Sequence, residues 1–161
     1  MRGILIDATS RAISEITLPD IKYGDLDEAD YRANWEGMKK LLETTIVEPV
    51  RMGAAQLWVD EEGLLKPEPG PFFRLGIPGA YGPIISKKGI LLGCQGPEGD
   101  PSDFPFAMSK VWGLIDWLPE GTKFLEIETR KGETEHPVLG KLTAINRVSI
   151  FQTPDGKRIE Q

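Results

Sequence analysis

Residues 28–60 read EADYRANWEGMKKLLETTIVEPVRMGAAQLWVD, and the hydrophobic period changes inside this stretch. Tyr31, Trp35, Met38 and Leu42 recur at spacings of four, three and four, which lays one apolar stripe along a helix. The opposite face carries Arg32, Glu36, Lys39, Lys40 and Glu43, with Glu36 placed to pair with Lys40 one turn on. Asp25 and Asp27 are the candidate N-caps. From TIVEPVRM onward the pattern becomes strand-like, and Gly53 separates it from a second strand, AAQLWVD. Pro49 has no N–H for a ladder, so the first of these strands belongs at a sheet edge or a bulge.

On the N-terminal side, Gly3–Asp7 and the run from Ala12 to Ile16 flank the turn-forming ATSR, which predicts a hairpin. On the C-terminal side, GILL at 89–92 reads as a strand, and CQGPEGDPSD after it as an acidic surface loop. Ser102 or Asp103 can cap a second helix whose apolar face is Met108, Val111, Trp112, Ile115 and Leu118, ended by Pro119 and Gly121. Two further strands are expected at Lys123–Thr129 and Lys141–Gln152, the second closed by the turn TPDG. Strands and helices interleave without a βα repeat. The predicted class is therefore α+β, a mostly antiparallel sheet with two packed helices, over residues 1–161 as a single domain.

Composition narrows the function. With 25 acidic and 19 basic residues the formal charge is −6, which repels a phosphate backbone, and the basic pairs Lys87-Lys88 and Arg130-Lys131 are too short to form a stripe. Direct nucleic-acid binding is disfavoured. One cysteine, Cys94, and one histidine, His136, give neither a disulfide nor a zinc cluster, so no metal and no cofactor is expected. The N-terminal apolar run is broken by Asp7 and Arg11, unlike a signal peptide, and no run is long enough for a membrane span. A cytoplasmic protein is expected.

The segment PEPGPFFRLGIPGAYGP, residues 67–83, is crowded with proline and glycine and reads as an irregular loop held by the anchors Phe72, Phe73, Ile77 and Tyr81. Its setting carries a resemblance. MRGILIDATSRAISEI, a helix, a strand ending in VDEEGLLK, a proline-rich segment, a tyrosine, GPI and the strand GILLG resemble an uncharacterised family of short proteins of bacteriophages and other mobile elements. The resemblance covers about residues 1–103; the helix and strands of 104–161 lie outside it. That family usually has prolines, an asparagine, a basic residue and an alanine after the lysine. This chain has GPFFRL there, so the asparagine is missing and Arg74 alone stands for the basic residue. The resemblance implies a phage-associated protein of the host-cell cytoplasm and supplies no chemistry.

Each candidate reactive group has a plainer explanation. Asp60, Glu61 and Glu62 are neighbours in one turn, where carboxylates face water and do not converge on a cleft. His136 falls in a loop with no nucleophile in a recognisable setting, and Cys94 follows an apolar strand as a small packed residue would. GCQGPEG lacks the lysine and hydroxyl of a phosphate loop. Trp35 and Trp112 belong to apolar helix stripes, and Trp58 is core unless it faces outward with Gln56. No catalytic set can be named. The expected function is non-catalytic binding, of counter-defence type: Arg74, Tyr81, Lys66 and Phe73 form a site for a small anionic, nucleotide-like ligand, within one chain or between subunits of a homo-oligomer. The alternative is an inhibitor that docks on a host protein through an acidic and apolar surface, and an enzyme comes third.

Overall fold

A computed structural model describes residues 1–19, 28–77, 80–95, 100–136 and 140–161, without the side chains of 28–31, 77, 80–81, 134–136, 140, 142 and 144. The chain divides into two compact units, Met1–Leu118 and Pro119–Gln161.

In the first unit, β1 (Arg2–Asp7) and β2 (Ala12–Thr17) form the N-terminal hairpin. The helix α1 (Glu28–Leu42) leads into β3 (Val47–Met52) and β4 (Ala55–Asp60), and β7 (Lys88–Gln95) completes the sheet in the order β2-β1-β7-β4-β3. Every pairing is antiparallel, and β3, the strand with Pro49, lies at the edge. Most of β4 and β7 is buried on both faces. One face carries Ile4, Ile6, Leu57, Val59 and Leu91 in a core with Phe73, Leu75 and Ile85; the other carries Trp58, Ile90 and Leu92 in a core with Met38 and Leu42 of α1. Trp58 is therefore core and not an outward platform, and Trp35 meets it edge-on at 5.7 Å between ring centroids. The N-caps assigned to Asp25 and Asp27 fall outside the described residues, as does the side chain of Tyr31. On the polar face of α1 the lysine paired with Glu36 is Lys39, at 3.1 Å, not Lys40.

Several expectations are corrected here. The segment read as an irregular loop contains two strands, β5 (Phe72–Ile77) and β6 (Ala80–Ser86), paired antiparallel. The ladder tolerates this sequence because its register shifts between Arg74 and Gly76, which leaves Pro83, with no N–H to donate, outside the ladder. The second helix, α2, is a single short piece, Met108–Trp112, and Ile115–Trp117 is a strand, β9, paired with β5. Val111 and Ile115 fit a helical spacing, and Ile115 and Trp117 fit a strand spacing equally; the open edge of β5 decides for the strand. As a result Trp112, expected in the core, is half exposed. The acidic segment after β7 also contributes a strand, β8 (Asp100–Ser102), on the edge of β7 near its end.

The second unit is a three-stranded antiparallel sheet of β10 (Lys123–His136), β11 (Gly140–Gln152) and β12 (Arg158–Glu160), with β11 in the middle. β10 runs seven residues past Thr129, so His136 ends a strand and is not in a mid-loop position. Phe124 and Phe151 pack at 5.4 Å. On one face Arg130 donates to Glu128 (2.7 Å) and Glu160 (2.8 Å), and Arg158 donates to both of the same carboxylates. The Arg130 hydrogen bond is the main reason that Glu128 and Glu160 titrate below the ordinary value near 4.5, with Arg158 adding to it.

Candidate functional site

Of the four predicted ligand residues, the three whose side chains are described, Phe73, Arg74 and Lys66, do not converge. Phe73 is 0% exposed, with its ring 6.0 Å from that of Trp117, so it is core and offers no face to a ligand. Arg74, in the next position on β5, projects to the other side and forks onto Asp116 of β9, its cross-strand neighbour, with Nε and Nη2 both 2.7 Å from Oδ2. Asp116 comes opposite Arg74 because Ile115–Trp117 is a strand. Lys66 pairs with Asp60, whose carboxylate also accepts from Thr44 Oγ1 (2.6 Å) and the Glu62 N–H (3.2 Å). Asp60 is thus a nearly buried structural acid and not a solvated turn residue. The side chain of Tyr81 lies outside the described residues. Lys66 borders a shallow polar hollow of about 610 Å³ with Glu36, Lys39, Lys40 and Glu43, and Arg74 does not.

Arg74→Ala should therefore be a small structural loss. Both partners are partly exposed, which puts the ion pair at about 0–1 kcal/mol. A double-mutant cycle with Asp116→Ala checks it: the expected result is non-additive costs, and fully additive costs would show that the pair contributes nothing.

A different site stands out in the structure. At one end of the two sheets, Met52, Ala55 and Leu91 from the large sheet and Leu75 from β5 meet Phe104 and Val111, enclosing a hollow of about 280 Å³. Its floor is buried. Its rim is the segment around α2, with Phe106, Lys110 and Leu114 lining the opening. Phe106, Met108, Trp112 and Leu114 are 46, 39, 50 and 44% exposed, an uncommon density of large apolar side chains in nine residues.

The segment is held firmly for one so exposed. Arg2 O accepts from the Phe104 N–H (2.8 Å), and the Arg2 guanidinium donates to Phe104 O (2.6 Å). Leu114 N–H donates to Val111 O (2.9 Å), while Leu114 O accepts from Gly76 N–H (2.6 Å), fixing the end of α2 to the β5 bulge. Trp112 leans edge-on against Trp117 at 6.1 Å. Among the described residues, Lys110 is the one cation lining the hollow. Its ammonium lies 5.7 Å from the centre of the Phe106 ring, and among the described residues no carboxylate pairs with it, in contrast to Arg74, Lys66 and Lys88.

Chemically, the arrangement can desolvate one large apolar group and set an acidic group beside it against Lys110. Sequence reading missed it because the lining comes from four separated parts of the chain. The available signal was FPFAMSKVWGLI, which has more large apolar residues than a five-residue helix can bury. No known protein family, curated protein or solved structure matches the chain.

Proposed function

We propose that the protein is a non-catalytic binding protein that docks on a partner protein through the rim of this hollow. A large apolar side chain of the partner seats against Leu75, Leu91 and Phe104, and a neighbouring acidic residue of the partner meets Lys110. The observation that carries this is the pairing of a preformed apolar hollow with the half-exposed Phe106 and Leu114 at its opening and the half-exposed Met108 and Trp112 in the same segment. Interfaces draw most of their affinity from such anchors in water-excluding pockets, ringed by residues that contribute less. In this account the packing of α1 on the far face of the large sheet serves as rigid backing. The resemblance of residues 1–103 to short phage and mobile-element proteins supports a host protein as the partner, met in the host cytoplasm and inhibited there as part of counter-defence. A small anionic ligand at Arg74 and Lys66 has less support, since each cation already faces a carboxylate.

Selection from a random peptide library on the immobilised protein tests this reading. The expected consensus is a large apolar residue beside Asp or Glu, with binding weakened at least about tenfold by Leu114→Asp, the loss of about 1.4 kcal/mol. No enrichment, or enriched peptides indifferent to Leu114→Asp, would remove it.

A further inference from the structure

The hollow also has the makings of a site for a small amphiphile. Its inner wall is aliphatic, built by Met52, Ala55, Leu75, Leu91 and Val111. Much of the backbone around it is already engaged. Met52 and Ala55 pair across the β3–β4 turn, Leu91 lies between β1 and β4, and Leu75 is in the ladder with β9. The Gly76 N–H donates to Leu114 O and the Leu114 N–H to Val111 O. A water molecule in a protein interior is held by two to four polar partners, which an aliphatic wall with its backbone in ladders does not supply. The hollow therefore favours hydrocarbon.

Size and charge select which hydrocarbon. A dry cavity of about 150 Å³ takes benzene, with six carbons, so the hollow's volume of about 280 Å³ takes about ten. That is room for one alkyl chain and not for the two chains of a membrane lipid. At the opening stands the Lys110 ammonium, 5.7 Å from the centre of the Phe106 ring, and among the described residues no carboxylate lines the hollow. A cation at an apolar mouth favours an anionic head. Lysine suits the task because it is a compact charge on a flexible stem, able to follow a head whose depth is set by the tail.

We propose that the hollow binds a single-chain alkyl carboxylate of about ten carbons, with its tail against Leu75 and Leu91 and its head on Lys110. Such binding uses the same hollow as docking but needs no partner protein, so either can hold without the other.

Calorimetric titration of linear carboxylates into the full chain, below their micelle concentrations, tests it. Affinity should rise about fourfold with each methylene from hexanoate to decanoate and then level off at dodecanoate, whose added carbons lie outside the hollow. Octyltrimethylammonium, with a cationic head, should bind at least about tenfold more weakly than octanoate. Lys110→Gln should remove that preference and keep the gain per methylene. Ala55→Leu, which adds carbon to the wall, should move the levelling-off to a shorter chain, with circular dichroism to confirm that the variant is folded. No binding of decanoate, an affinity that climbs at the same rate through dodecanoate, or a carboxylate preference that survives Lys110→Gln would overturn the proposal. A levelling-off unmoved in folded Ala55→Leu would do the same.

Discussion

Phe73→Ala is expected to lower the stability of the first unit by about 3–5 kcal/mol, the range for removing a fully buried aromatic ring. Phe73 is 0% exposed and stands between the two sheets, paired in register with Ile85 and Trp117. Its ring end would lie only 3.0 Å from a β-carbon added at Gly89 of β7, so the ring packs directly over that glycine. The denaturant midpoint should fall accordingly, while Arg74→Ala, one residue away on the same strand, leaves it nearly in place. Similar midpoints for the two variants would contradict the assignment of Phe73 to the core and Arg74 to the surface.

Gly93→Ala should damage both stability and docking. A β-carbon at Gly93 would sit 2.2 Å from Asp103 O and 2.5 Å from Ser102 Oγ. The nearer atom is backbone, which cannot swing aside as a side chain does. Overpacking of this kind costs about 1–3 kcal/mol, and relief requires β8 and the segment after it to move. That segment holds Phe104, a buried wall of the hollow tied to Arg2 on both its N–H and its C=O. Displacing it should reduce peptide binding as well as the melting temperature. A variant with parental stability and parental binding would show that the β7–β8 approach is looser than described.

Much of the framework was legible from residue periodicity. Trp35, Met38 and Leu42 marked α1, Pro49 marked an edge strand, and the alternation around ATSR marked the first hairpin. These signals are local. What escaped depended on contacts far apart in sequence. Pro78 and Pro83 made 67–83 look unable to form a ladder, but a register shift accommodates Pro83. Ile115 and Trp117 were assigned to a helix because the edge of β5 that claims them cannot be seen from their own neighbours. The same error hid the partner of Arg74, since Asp116 comes opposite it only once β9 is a strand. The hollow was hidden for a related reason: Met52, Leu75, Leu91 and Phe104 carry no shared pattern, and only the meeting of two sheets and α2 gathers them.

The docking account is tested most directly by reversing the charge at its rim. A peptide selected on the parent protein is titrated into Lys110→Glu, and so is a second peptide in which the acidic residue is replaced by lysine. The expected result is that Lys110→Glu weakens the first peptide at least about tenfold, or about 1.4 kcal/mol, and recovers affinity with the second. Equal binding of the acidic peptide to both proteins would contradict the placement of a partner at the α2 rim.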